Sequence, residues 1–242
     1  MSPKIRKIDL SMFFPVFNEE QNLPSLIKSA QKVCSEISRK YELIFLLHPS
    51  STDNSKVVIL DFAKSDPNIK LILRPIDKIG VGYAMLMGLR VAKYPYVFYA
   101  DSDNQFNLGD IKLFLSYIDE YDLIVGMRID RKDTKMRILY SNLYNLFVRF
   151  FFKLKIKDLD CSFRLIKKKV IDNIELRCET GAITSEIVIK ALRAGFKIKQ
   201  VGVTHFPRLY GSTSFFNSFL SFPKYSILKN QFQEILDLKK NK

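Results

Sequence analysis

The run Asp101-Ser102-Asp103-Asn104-Gln105 sets three oxygen-bearing side chains at alternate positions. On an extended backbone residues i, i+2 and i+4 project to one side, which aims Asp101, Asp103 and Gln105 at a common point. Such a set suits a hard divalent cation, Mg2+ or Mn2+, that keeps part of its water shell and binds a diphosphate. The same residue types also favour turns and helix entries, so the run reads as well as a turn before the helix expected from Leu108. Glu186 stands at the start of another helical segment, either as a general base toward a hydroxyl or as a capping charge on the helix N-terminus. Arg128, Arg137 and Arg208 offer guanidinium groups to phosphate, and each by itself also reads as a solvated surface charge.

These residues need elements to aim them, and the first half of the chain supplies a regular alternation. Ile8 to Phe14, Tyr41 to Leu47, Ile69 to Leu73, Tyr96 to Ala100 and Leu123 to Gly126 read as short β-branched or aromatic strands. Between them lie segments of helical period, the first marked by Leu23, Leu26, Ile27, Ala30, Val33, Cys34 and Ile37 behind Asn22 and Pro24. This is the pattern of βαβ units on a mostly parallel, Rossmann-like sheet, in which ligands gather beyond the strand ends. Asp101 to Gln105 lies directly after the fourth such strand. The second half is less regular: a long aromatic and basic helix from about Arg137 to Phe152, an extended stretch near Cys161 to Ile166, a helix from Ser185 to Ala194 closed by Gly195, and a strand from Lys197 to Thr204. No Gly/Ser/Pro-rich linker divides the halves, so residues 1–214 read as one domain and 215–242 as an aromatic, basic helical extension.

Composition narrows the partners. Of 242 residues 47% are apolar and 26% charged, which excludes a disordered, collagenous or coiled-coil chain. Thirty-nine Lys and Arg against 25 Asp and Glu leave a net charge of +14, pointing to nucleic acid, an anionic membrane or a phosphorylated substrate. Nucleic acid ranks last, since no helix-turn-helix, zinc or aromatic-glycine motif accompanies the charge. The most apolar stretch, Leu143 to Ile156, carries Arg149, Lys153 and Lys155 and falls short of the ~18 apolar residues of a membrane span. The N-terminus lacks the apolar centre of a secretory signal, and Cys34, Cys161 and Cys178 are scattered, which together place the chain in the cytoplasm. The tail set Phe215, Phe216, Phe219, Leu220, Phe222, Tyr225, Leu228 and Phe232, with Lys224 and Lys229, reads either as a segment lying on an anionic membrane surface or as a terminal helix packed on the domain.

Seven motifs in order carry a resemblance: Pro15-Val16-Phe17-Asn18-Glu19-Glu20, Ser51-Thr52-Asp53-Asn54-Ser55, Gly80-Val81-Gly82, the Asp101 run, Gly126-Met127-Arg128 with Arg137, Asp158 to Arg164 followed by Ser185-Glu186, and His205 to Ser212. This series resembles the family 2 glycosyltransferases of GT-A fold, and within them the polyprenyl-phosphate sugar transferases of the dolichyl-phosphate mannose synthase kind, over about residues 8 to 214. The resemblance implies an α/β GT-A sheet flanked by helices and a metal-dependent, inverting transfer from a nucleotide-diphosphate sugar to a lipid-linked phosphate. It also implies roles: Pro15, Asn18, Glu19, Asp53 and Gly80 at the nucleotide, where His48 reads equally as a base contact or as a residue that caps the strand end, Asp101, Asp103 and Gln105 at the metal, Arg128 and Arg137 at phosphates, and Arg208 with Ser212 at the acceptor.

Two departures stand out. His48-Pro49 occupies the place of an acidic pair that the family uses after its second strand, and a histidine cannot act as a carboxylate acceptor toward a nucleobase. Ser162 stands where the family often has Gly. Transfer to a sugar or protein hydroxyl with Glu186 as base, and a non-catalytic nucleotide-sugar-binding protein, remain the rival readings. A phosphate acceptor needs no base, because its second pKa of about 6 leaves it anionic at neutral pH.

Overall fold

The computed structural model describes residues 6–78, 80–211 and 225–240. Seven strands form one sheet: β1 (Ile8–Val16), β2 (Ser38–Leu47), β3 (Ile69–Leu73), β4 (Tyr96–Tyr99), β5 (Leu123–Ile129), β6 (Arg164–Lys167) and β7 (Ile198–Thr204), in the order β3-β2-β1-β4-β6-β5-β7. The helices are α1 (Leu23–Ile37), α2 (Ser55–Ser65), α3 (Val81–Val91), α4 (Ile111–Leu115), α5 (Lys135–Phe152), α6 (Lys168–Asn173), α7 (Ile183–Arg193) and α8 (Tyr225–Lys240).

The βαβ alternation is as the periodicity predicts, with one rearrangement. β6 runs antiparallel between β4 and β5, pairing Tyr99 with Arg164 on one side and Val125 with Arg164 on the other. After α5 the chain returns through an irregular segment and enters the sheet at the end where the parallel strands finish. The loops after β1 and β4 are therefore faced by the segment 158–163 that leads into β6.

Alternation along β1 sends Phe14 into one core layer and Phe13 into the other, because successive strand residues point to opposite faces. The first layer is closed by α1, whose Leu23, Leu26, Ile27, Ala30, Val33, Cys34 and Ile37 are all buried, and by Ile111 and Phe114. The second is closed by α3, α5, α7 and α8. Gly88 of α3 lies on the Phe13 ring, where an added Cβ would come within 2.4 Å of it. The helix expected from Leu108 is delayed and short: a 3-10 turn capped by the Asn107 side chain precedes α4, which stops at Leu115. Asn22 makes no capping bond to α1 and donates instead to Glu19.

α8 packs through Phe232, which meets Tyr144 and Phe147 of α5, and through buried Ile235 and Leu238. The tail residues Phe215, Phe216, Phe219, Leu220 and Phe222 lie outside the described residues. No helix among the described residues is long and apolar enough to cross a membrane.

Candidate active site

Two loops build the floor. After β1 the chain turns through Asn18, in the left-handed region at φ 54°, and after β2 it turns through His48 to Asn54. The loops are stitched together by short polar side chains. Thr52 N–H donates to Asn18 Oδ1 at 2.8 Å, Asn18 N–H to Ser51 Oγ at 3.1 Å, Glu19 N–H to Ser55 Oγ at 2.9 Å and Glu20 N–H to Asp53 Oδ2 at 2.9 Å. Asp53 also accepts from Ser55 N–H at 3.0 Å, so it works as a turn and cap; burial raises its pKa, but these bonds hold it below the usual carboxylate range. Leu47, His48, Pro49, Ser51, Asp53, Lys56 and Leu73 enclose a cavity of about 110 Å³ beside this stitching.

His48 is buried at the end of β2. Its Nδ1 accepts from the Ser50 N–H at 3.2 Å, which places the proton of the neutral ring on Nε2. Among the described residues Nε2 has no hydrogen-bond partner. Burial and the Arg74 charge lower its pKa, so the ring is neutral at neutral pH. Arg74, the residue after β3, is itself buried without any carboxylate within ion-pair distance among the described residues; it donates to the Gly80 carbonyl at 3.1 Å, and burial lowers its pKa to about 10. Nothing in its sequence context signalled this burial.

The loop after β4 supplies the acidic centre. Its backbone is not extended: Asn104 sits at φ 57° and its amide donates to the Asn22 carbonyl and to Ser25 Oγ. The one-sided projection expected of residues 101, 103 and 105 is thereby altered. Gln105 directs its amide nitrogen to the Phe206 carbonyl at 3.2 Å, tying this loop to the segment after β7. Ser102 Oγ donates to the Pro15 carbonyl at 2.7 Å, which locks the loops after β1 and β4 together. Asp101 accepts from Ser162, and Asp103 accepts from Gln105 N–H and from the Arg208 guanidinium.

Asp103, Asp101, Glu19 and Arg208 thus converge. Burial, reinforced by the Asp101 charge, raises the Asp103 pKa to about 6 despite Arg208; burial likewise raises Glu19 to about 7. A crevice that holds carboxylates above their usual range is electrostatically short of positive charge. Two adjacent aspartates with hard oxygen donors fit a divalent cation whose other ligands are phosphate oxygens and water, although no group of three His, Cys, Asp or Glu side chains among the described residues is arranged to hold one alone.

Two of the expected residues, Arg128 and Glu186, are engaged by buried partners. Arg128 is 5% exposed in its side chain and is spent: its Nε and Nη2 donate to Asp158 at 2.9 and 2.6 Å, and Nη2 lies 2.8 Å from Asp160. It anchors the segment leading into β6, and the sequence reading missed its partners although the run Asp158 to Arg164 was in view. Glu186 is 0% exposed, accepts from Arg177 N–H at 3.0 Å and Cys178 N–H at 2.8 Å, and pairs with Lys190 at 2.7 Å, so the general-base role has no open oxygen to work with. Gly80 and Gly82 have a packing reason: a Cβ on either would come within 2.4 Å of the 179–180 backbone. Arg137 remains near the site, paired with Asp133 at 3.0 Å and close enough to pull the Asp103 carboxyl down. Asp133 also faces His205, whose pKa burial lowers to about 4. Ser212 lies outside the described residues.

A family model described as glycosyl transferase family 2 matches residues 11–175, which includes every loop of this site except the segment carrying Arg208. The chain belongs to glycosyl transferase family 2. Its relatives in that family include the undecaprenyl-phosphate 4-deoxy-4-formamido-L-arabinose transferase of Pectobacterium atrosepticum, 28% identical over 223 residues, covering 91% of this chain and 64% of that one. The transferase of the same name from Proteus mirabilis is 28% identical over 227 residues, covering 93% and 65%. The chain spans just under two thirds of the length of these curated relatives. Among solved structures, glucosyl-3-phosphoglycerate synthase from Mycobacterium tuberculosis in complex with Mn2+, uridine-diphosphate and phosphoglyceric acid superposes with a TM-score of 0.65 at 16% identity, covering 85% of this chain and 72% of that one. The family 2 sheet described above is of the GT-A class.

Proposed function

We propose that this family 2 chain moves a sugar from a nucleotide-diphosphate sugar to a polyprenyl-type lipid phosphate, with inversion at the anomeric carbon and dependence on Mg2+ or Mn2+. An acceptor phosphate oxygen forms the new bond to the anomeric carbon while the bond to the donor diphosphate breaks, its electron pair leaving with the nucleoside diphosphate. Asp101 and Asp103 would hold the divalent cation, which when bound would supply neutralisation of the charge that develops on that leaving group. The loops after β1 and β2, with Asn18, Glu19, His48 and Asp53, hold the nucleotide, and Arg137 and Arg208 hold phosphate oxygens.

The observation that carries the acceptor class is the surroundings of Arg208. This guanidinium is flanked along the chain by exposed Phe206, Leu209 and Tyr210, with Leu209 75% exposed. A phosphate-binding fork set among exposed apolar side chains suits a phosphate whose substituent is hydrocarbon. The withdrawal of Glu186 into the fold weakens the hydroxyl-acceptor reading, while a phosphate dianion needs no proton removed. The names of the relatives point the same way. We place the reaction at the cytoplasmic face of a membrane, with the chain on its surface. Thermal-shift screening of nucleotide sugars with and without Mn2+ tests the donor half: stabilisation by a nucleotide-diphosphate sugar that requires the cation is expected, and stabilisation by none of them would oppose it.

A further inference from the structure

α5 carries an apolar stripe that nothing in the described chain covers. Leu139, Leu143, Leu146 and Phe150 are 49%, 54%, 61% and 85% exposed. Their spacing of four, three and four residues gathers them on one side of the helix, opposite the buried Tyr144 and Val148 that meet the core. At the helical rise the stripe is about 16 Å long. Isolated exposed leucines are ordinary, but four large apolar groups in register on one helix are a surface with a use.

Charge identifies the occupant. The eighteen residues of α5 contain no Asp or Glu. Exposed Lys135 stands at the start of the stripe, and exposed Lys153, Lys155 and Lys157 follow its end. Apolar side chains along the middle with ammonium groups at both ends match a helix lying in the plane of a bilayer, its lysines reaching the headgroups. The net charge of +14 favours an anionic leaflet. A second copy of the chain fits less well, because pairing two such stripes in either direction brings like-charged lysine clusters together.

We propose that the Leu139–Leu143–Leu146–Phe150 face of α5 lies in the interfacial layer of an anionic bilayer. The placement has a consequence for the site, since Arg137 at the start of α5 pairs with Asp133, which faces His205. Docking α5 thus holds the mouth of the crevice at the lipid surface. The surface stands whatever acceptor the site takes, and vesicle binding reads it without any transfer reaction.

The test is flotation of the full chain with phosphatidylcholine vesicles, with and without phosphatidylglycerol. The chain is expected to float with the anionic vesicles, and the double variant Leu143→Glu/Leu146→Glu to bind them roughly tenfold or more weakly. Val57→Glu, on the exposed side of α2, is expected to bind as the parent does. Lys153→Gln/Lys155→Gln serves as a second variant and is expected to weaken binding to anionic vesicles, with melting temperatures of all variants near that of the parent. Anionic-vesicle binding indifferent to both double variants, or no binding by the parent, overturns the proposal. A concentration-dependent dimer that Leu143→Glu/Leu146→Glu dissolves, without vesicle binding, overturns it in favour of a second copy on this face.

Discussion

The guanidinium of Arg208 donates to the carboxylate of Asp103, so the segment after β7 closes directly onto the loop after β4. Its other terminal nitrogen lies 3.5 Å from Glu19 Oε1, which brings the loop after β1 into the same contact. One planar fork therefore spans two carboxylates, a geometry that a single ammonium cannot reproduce. Arg208→Lys is expected to lower transfer on the order of 10²-fold, as loss of a fixed donor at a developing or bound charge does. Initial rates at saturating donor measure it, and near-parental rates would remove Arg208 from the acceptor side.

The raised carboxyls make stability depend on pH in a defined direction. Asp103, with a folded pKa of about 6 against an ordinary value of 3.8, and Glu19, about 7 against 4.5, hold protons in the folded state after the unfolded chain has released them. In chelator, stability is therefore expected to fall as pH rises from about 4 to about 7 and to level off above. Asp103→Asn is expected to raise the melting temperature by a few degrees at pH 7.5 and to abolish stabilisation by Mn2+ with nucleotide. Melting curves across pH for both proteins decide this; a variant less stable than the parent at pH 7.5 would mean that Arg208 needs the Asp103 charge more than the site suffers from it.

Glu186→Gln separates structure from chemistry. The carboxylate holds the Arg177 and Cys178 amides and the Lys190 ammonium, so the variant is expected to lose about 2–3 kcal/mol of stability. Activity per folded molecule is expected to stay near parental. Denaturant unfolding paired with kcat below the unfolding range checks both halves, and a stable but inactive variant would restore Glu186 as a base.

How much of this was legible in the chain follows from what each kind of signal encodes. The period of buried residues in α1 and the aliphatic run of β3 are local properties, and both elements lie where the pattern puts them. The antiparallel entry of β6 is a property of the return path after α5, which no local pattern specifies. The loops after β1, β2 and β4 are brought together by hydrogen bonds, a convergence that the placement of residues at strand ends leads one to expect in such sheets. The buried partners of Arg128 and Glu186 were not legible for a shared reason: a charged side chain looks alike in sequence whether it meets solvent, ligand or a buried partner. Asp158 and Asp160 for the one, and the 177–178 amides for the other, become neighbours only through the fold. Arg74 shows the same limit from the other side, since its burial without a carboxylate partner among the described residues is visible only in three dimensions.

His48 faces the small cavity between the ends of β2 and β3, with Nε2 unpartnered among the described residues. If this wall meets the donor base, His48→Ala is expected to raise donor KM with little change in kcat, the signature of lost uniform binding. Because the ring is neutral at neutral pH, the parental donor KM is expected to change little between pH 7 and 8. Steady-state kinetics on both proteins provide the check, and an unchanged KM would leave base recognition to backbone groups.

The central claim is that the aspartates after β4 and Arg208 together carry sugar transfer onto a lipid phosphate. Its most direct measurement is product formation from a radiolabelled nucleotide-diphosphate sugar and a short-chain polyprenyl phosphate, in Mn2+ and in chelator, for the parent and for Asp101→Asn and Asp103→Asn. The expected result is a sugar-phospholipid product that requires Mn2+ and is lost in both variants while their folds persist. Undiminished product in both variants, or transfer to a dephosphorylated polyprenol as readily as to its phosphate, would contradict the account.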